Sequence, residues 1–209
     1  MISISGSSLT NIDRTSARYK SLQEVHRRIQ RKDPMTWGLE ASDEAAIRLN
    51  WVDLPETSQL LADELTHVAR RFGKYSQVIL CGMGGSSLAP EVIAKSFGLN
   101  IFIVDSTDPQ YILHALEHGL AQSVIVISSK SGSTIETSSQ RAFFENQLVN
   151  AGLSPQEHMV FVTDPGSSLD VEVRSKGFTV INADPHVGGR FSALSAFGLV
   201  PTAIAGFNP

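Results

Sequence analysis

The stretch VIVISSKSGSTIET, Val124 to Thr137, passes directly from an apolar run into a loop of hydroxyls and then into a helical pattern. Its opening residues are short, apolar and mostly β-branched, without alternation, as in a strand buried on both faces of a parallel sheet. From Ile135 to Asn150 the pattern is helical; Thr134 or Ser133 stands where an N-cap belongs, and Glu136 falls in the first turn. Between strand and helix, residues Ser128 to Thr134 offer free backbone N–H groups, several hydroxyls, one ammonium and the positive end of a helix dipole. That set favours a dianion, with phosphate first. Taken alone the loop has a plainer reading, in which the hydroxyls merely cap a helix and Lys130 is an ordinary solvated lysine.

Outward from this stretch the alternation is regular. Strands are expected at Gln77–Cys81, Ile101–Val104, Ser123–Ile127, His158–Thr163 and Thr179–Ile181, with helical patterns at Ser87–Phe97, Pro109–Glu117, Ile135–Asn150 and near Ser168–Arg174. Strands separated by helices make a parallel sheet with right-handed crossovers. The fold class is therefore α/β, a doubly wound five-stranded parallel sheet of flavodoxin-like order 2-1-3-4-5. Ligands of such sheets bind beyond the carboxyl ends of the strands where the winding reverses, here between the first and third strands. The loop after the first strand is Gly82-Met83-Gly84-Gly85-Ser86-Ser87, whose glycines let backbone approach a ligand closely. Two loops of complementary chemistry thus converge on one crevice.

Before the sheet, residues 1–50 read as a helical arm and 51–209 as the domain that carries the site. Residues 1–14 are small and polar and expected to be poorly ordered. One amphipathic helix is expected from Thr15 to Lys32, stopped by Asp33-Pro34, then a piece whose Trp37 and Leu39 suggest docking, a short helix from Ser42, and a longer one from Pro55 through Arg71. After the fifth strand, Asp184 to Ser192 leads into the apolar run ALSAFGLVPTAIAG. Ser192 is expected to cap this helix, whose apolar surface nearly all round calls for a partner layer beyond the chain. Arg190 follows two glycines; spacing alone leaves open whether it faces a ligand or solvent.

Several classes are disfavoured. A net charge of −4 and a pI near 5.8 argue against a nucleic-acid surface, and the basic cluster Arg27-Arg28/Arg31-Lys32 reads as the polar face of a helix. The single cysteine, Cys81, excludes an internal disulfide and reads as a core thiol. No stretch reads as a signal peptide or membrane span, so a cytoplasmic protein without membrane or nucleic-acid partners is expected. His114 and His118 share a helix face, but no ligand pattern surrounds them, so neither a metal nor another cofactor is expected. A nicotinamide dinucleotide is the competing ligand, on Gly82-x-Gly84 and Asp105, but Ser87 stands at the third glycine and the serine-rich loop has no role in that scheme.

The segments CGMGGSSLAPE, SSKSGSTIET and above all HVGGRFSALSAFG resemble the first half of the glucose-6-phosphate isomerase family. VDSTDP and VTDPGS are similar to bacterial, notably actinobacterial, members. The resemblance runs from about Trp51 onward and implies a sugar isomerase (SIS) domain. It implies that Gly85 and Ser86 contact the substrate and that Ser129, Lys130, Ser131, Thr134 and Thr137 surround the phosphate of a hexose 6-phosphate. Arg190 would be catalytic, beside the sugar's C1–C2 region, stabilising an enediolate. In that family an aldose and a ketose, glucose 6-phosphate and fructose 6-phosphate, interconvert through a cis-enediol, in glycolysis and gluconeogenesis. The family's proton-shuttling glutamate, ring-opening histidine and late lysine lie in its second half. The expectation is thus a chain that binds sugar phosphates, isomerises them poorly alone, and works with a second SIS domain or second subunit, as a homodimer. A regulatory sugar-phosphate-binding SIS domain is the alternative. Glu136 is no substitute base, since the helix dipole accounts for it.

Overall fold

A computed structural model describes residue 6 and residues 12–207 of the 209-residue chain. The expectation of a loosely ordered start falls largely outside those residues. The α-helices of six residues or more are α1 (Ala17–Gln30), α2 (Ser42–Arg48), α3 (Ala62–Phe72), α4 (Gly85–Phe97), α5 (Pro109–His114), α6 (Ile135–Asn150), α7 (Ser168–Ser175) and α8 (Ala196–Ile204). The strands are β1 (Gln77–Gly82), β2 (Ile101–Val104), β3 (Ser123–Ser128), β4 (Met159–Thr163) and β5 (Thr179–Asn182), all parallel and ordered β2-β1-β3-β4-β5. The expected winding is the observed one.

Side-chain alternation along each strand divides the core. Val78, Leu80, Val124, Val126, Val160 and Val162 face one layer with Leu65, Val68 and Phe72 of α3 and most of α8. Ile79, Cys81, Ile125, Ile127, Met159 and Phe161 face the other, with Phe144 and Leu148 of α6 and Leu169 and Val173 of α7. The β1–β2 connection runs one way along the sheet and the later connections the other, so right-handed crossovers put α4 on the first face and α5–α7 on the second. The reversal lies between β1 and β3, whose ends pair at Gly82 and Ser128.

Four local expectations are corrected. All nine residues of α8 are buried, and the helix packs against α3 and α4 within this chain. The partner layer is thus present: the Leu65, Val68, Phe72 stripe of α3 supplies it. Ser195, not Ser192, caps α8, accepting from the Phe197 N–H at 3.3 Å, while Ser192 Oγ donates to the Gly189 carbonyl at 2.7 Å. The helix expected from Pro55 to Arg71 is instead a helical turn at Leu54–Thr57, a 3-10 turn at Ser58–Leu61 and then α3. In the arm, Trp37 and Leu39 are 48% and 77% exposed in 3-10 turns and do not dock, and α1 buries no residue despite its amphipathic pattern.

What does dock the arm is the segment after α2. Leu49 bridges Val187, the Asn50 N–H donates to the His186 carbonyl, and the Asn50 amide donates to Asp184 Oδ2 at 2.7 Å. Trp51 stacks on Phe191 with centroids 5.0 Å apart. Residues 49–51 therefore pin the arm to the loop that follows β5.

Candidate functional site

At the carboxyl end of the sheet, over the β1/β3 reversal, lies a cavity of about 360 Å³. Its walls include Gly85 and Ser86 from the start of α4, Ser128 to Ser131 from the end of β3, and Thr134 and Thr137 from the start of α6. The glycine loop and the hydroxyl loop thus share one wall, as the winding requires. Asp164 after β4, Gly189 after β5 and Arg48 from the end of α2 complete it. Two other concavities match it in volume, one at the β2 edge (about 500 Å³) and one between α3 and α8 (about 400 Å³). Neither gathers a comparable set of hydroxyls and helix starts.

The glycines have specific reasons to be there. Gly84 takes φ +57°, in the left-handed half of backbone space that side chains disfavour, and turns the chain into α4. A Cβ on Gly85 would lie 2.0 Å from the Gly189 carbonyl oxygen, so only glycine lets the β1 loop and the β5 loop touch. Gly132 combines φ +72° with a close approach to Leu169.

Both helices that begin at the cavity lack a side-chain cap. Thr134 occupies the N-cap position of α6, yet its hydroxyl makes no cap hydrogen bond, in contrast to Ser16, Asp108, Ser167 and Ser195 at other helix starts. At α4 the Ser86 and Ser87 N–H groups donate to the Met83 and Gly84 carbonyls, at 3.3 and 3.1 Å, whereas the first N–H groups of α6 keep their donors and the positive end of the dipole for something else. The hydroxyls tell the same story. Ser128 Oγ, Ser129 Oγ and Thr137 Oγ1 are buried without a protein hydrogen-bond partner among the described residues. A buried hydroxyl left unpaired costs about 1–3 kcal/mol, and three side by side on one wall mark a place built for acceptors. Ser131 differs: its hydroxyl meets that of Ser133 at 2.9 Å and accepts from the Ser133 N–H.

Lys130 lines the cavity, but its ammonium is engaged. It lies 2.9 Å from Asp164 Oδ2 and 3.1 Å from Oδ1, and donates to the Pro185 carbonyl at 3.1 Å. Asp164 is the cavity's one carboxylate among the described residues. The solvated-lysine reading of the loop is set aside. Arg190 is exposed and makes no side-chain hydrogen bond or ion pair among the described residues. Its backbone nitrogen lies close to Gly85, but the residue that lines the cavity there is its neighbour Gly189. Below it, Asp184 fastens the same loop to the arm. Burial alone would push its carboxyl up, but hydrogen bonds from the Asn50 amide and from the backbone and ring of His186 outweigh that and hold it below the usual carboxylate range.

Of the residues expected from sequence, Gly85, Ser86, Ser129, Lys130, Ser131, Thr134 and Thr137 share this one cavity, whereas Arg190 does not line it and only its neighbour Gly189 does. Ser128, expected only as the first residue of the hydroxyl loop, joins them, while Asp164 and Arg48 were not anticipated. Asp164 follows β4 at the same sheet edge as the two loops, a signal that the switch-point rule could have carried. Arg48 had no such signal. Elsewhere, Asp108 caps α5, His114 pairs with Glu117 at 2.6 Å, and Cys81 is fully buried, which pushes its thiol pKa up. Among the described residues no cluster of three or more His, Cys, Asp or Glu could hold a metal, and no helix is long and apolar enough to cross a membrane.

Comparison with known proteins converges on one family. The family model described as phosphoglucose isomerase matches residues 62–209. A glucose-6-phosphate isomerase of Thermus thermophilus is 33% identical over 195 residues, covering 88% of this chain and 44% of the relative. That of a Synechococcus strain is 35% identical over 145 residues, covering 65% of this chain and 27% of the relative. Among solved structures, a Thermus thermophilus protein described as hypothetical superposes with a TM-score of 0.75 at 31% identity, covering 92% of this chain and 46% of that one. Glucose-6-phosphate isomerase of Chlamydia trachomatis gives 0.63 at 31% identity, covering 85% and 34%. The chain thus spans between a quarter and a half of the length of these relatives.

Proposed function

The chain belongs to the phosphoglucose isomerase family, and from that premise we propose that its cavity binds a hexose 6-phosphate for the interconversion of glucose 6-phosphate and fructose 6-phosphate. The phosphate sits against Ser129, Ser131, Thr134 and Thr137 and the free N–H groups at the start of α6, with Lys130 beside it, its charge offset by Asp164. Gly85 and Ser86 hold the sugar, and Arg190 turns toward C1–C2 to stabilise the enediolate. A cation or donor at a developing oxyanion contributes about 3–4 kcal/mol in comparable sites. The observation that carries this reading is the trio of buried, unpartnered hydroxyls beside an uncapped helix start.

Proton transfer between C2 and C1 needs a free base near those carbons. Asp164 is a poor candidate, because both its oxygens face the Lys130 ammonium. The acid and base groups therefore come from outside the described residues, from a second SIS domain or a second subunit, and this chain alone binds more than it turns over. A cytoplasmic place in glycolysis and gluconeogenesis follows from that activity.

Thr137→Val tests the reading. The variant keeps the shape and removes an unpartnered hydroxyl, so stability should hold or rise, while affinity for fructose 6-phosphate by calorimetry should fall about tenfold. Unchanged affinity in a folded variant would sink the phosphate assignment.

A further inference from the structure

We infer that Arg48, in the arm that precedes the family-matched segment, supplies the net positive charge with which this cavity holds a dianionic phosphate group. The inference deepens the function proposed above and rests on it. Arg48 lies outside residues 62–209, yet it lines the same cavity as the serine loop. Its Nη1 donates to the Pro185 carbonyl at 2.9 Å, the same oxygen that accepts from Lys130 Nζ at 3.1 Å. Two cations on one oxygen stand no more than about 6 Å apart, the two bonds laid end to end.

Their charges are not equally spent. Lys130 is matched by Asp164, and both side chains are largely shielded, 23% and 19% exposed. Among the described residues Arg48 is matched only by Glu44, one turn earlier on α2, through Nε at 2.9 Å; that carboxylate is 73% exposed and its charge is screened by water. Among the residues lining the cavity, Arg48, Lys130 and Asp164 carry the formal charges, so Arg48 supplies the net positive one. Two of its five N–H donors are in use. The remaining three lie in a planar fork that matches phosphate oxygens. The arm holds this fork in place: Leu49 and Asn50 bind the loop at 184–187, and Lys32 donates to Asn50 Oδ1 at 3.1 Å.

Calorimetric titration of fructose 6-phosphate and of inorganic phosphate into the full chain tests this. Arg48→Ala should weaken both by roughly ten- to a hundred-fold, and Arg48→Lys should recover part of the loss. Glu44→Gln breaks the same arm ion pair but keeps the guanidinium, so it should bind as tightly as the parent or more so. If Arg48→Ala and Glu44→Gln weaken binding alike, or if Arg48→Ala binds normally, Arg48 is a structural tether and the inference falls while the cavity assignment stands. If the parent chain binds neither ligand, both fall. A readout independent of variant folding is butanedione modification of the parent protein followed by mass spectrometry. Fructose 6-phosphate should slow modification of Arg48 and leave exposed Arg27 unaffected; equal rates with and without ligand would overturn the assignment.

Discussion

Replacing Gly85 with alanine should separate close contact from mere flexibility as the reason for that glycine. The added methyl would sit 2.0 Å from the Gly189 carbonyl oxygen, 2.7 Å from its carbon and 3.4 Å from the Arg190 nitrogen. All three are backbone atoms, so no side chain can rotate away, and restoring ordinary contact needs a shift of about 1 Å. The β5 loop resists that shift through the Trp51–Phe191 stack and the antiparallel bridge at Val187. Overpacking of this kind costs about 1–3 kcal/mol. Against it stands a gain of about 0.4–1 kcal/mol from stiffening the unfolded chain. The net loss lowers Tm by several degrees, at about 2–4 °C per kcal/mol for a chain of this size. Gly189→Ala is the matched comparison, since a Cβ there meets nothing within 4 Å and its φ lies outside the range disfavoured by side chains; its Tm should equal or exceed the parent's. Scanning calorimetry reads both, and titration with fructose 6-phosphate should show affinity lost in Gly85→Ala, because a 1 Å displacement at a site can cost about a hundredfold. A Gly85→Ala protein melting at or above the parent would refute the argument.

Three further outcomes follow from the same geometry. Lys130→Met should destabilise by about 1–3 kcal/mol by stranding Asp164, less than for a fully buried pair, and adding Asp164→Asn should recover much of that; additive losses in urea unfolding would deny the coupling. Ser195→Ala should cost about 1–2 kcal/mol through loss of the α8 cap, and an unchanged unfolding midpoint would contradict it. Acid should destabilise the fold through Asp170. Burial pushes its carboxyl up, but the Gly166 N–H, Arg174 and Asn182 more than offset this and hold it below its ordinary value. Its stabilisation is thus present above the unfolded value near 4 and lost as pH falls through the lower folded one. Glu172, drawn down to about 2 by Arg141 and Lys176, adds less because it is 46% exposed. Melting curves from pH 7 to 2 should fall most steeply below about pH 4, with a shallower fall in Asp170→Asn.

The sheet was legible because the local signals agree. Val124–Ile127 and Val160–Val162 are apolar without alternation, and the intervening patterns are long enough for crossovers and too short for anything else. Once the strands are placed, right-handed winding leaves few orders, and the switch-point rule brings Gly85 and Ser131 together before any coordinate is known. What stayed hidden depends on distant pairs. The nine buried residues of α8 looked unpartnered because the stripe that meets them, Leu65, Val68 and Phe72, lies more than a hundred residues earlier. Arg48 and Pro185 are 137 residues apart, and no periodicity records their hydrogen bond. The α1 pattern misled in the opposite sense. An apolar stripe indicates which side of a helix would bury, not whether a surface is there to receive it.

The position of α8 in the chain sets the order of assembly. Residues 77–182 contain every strand among the described residues, yet the sheet face carrying Val78, Val126 and Val160 is completed only by a segment at 196–204. During synthesis the part of that face over β1, β4 and β5 that α8 covers stays open to water, or to a chaperone, until the ribosome has released the helix. Contacts between ends so far apart in sequence make for slow folding, and an early stop between the fifth strand and this helix would yield a sticky intermediate rather than a smaller working protein.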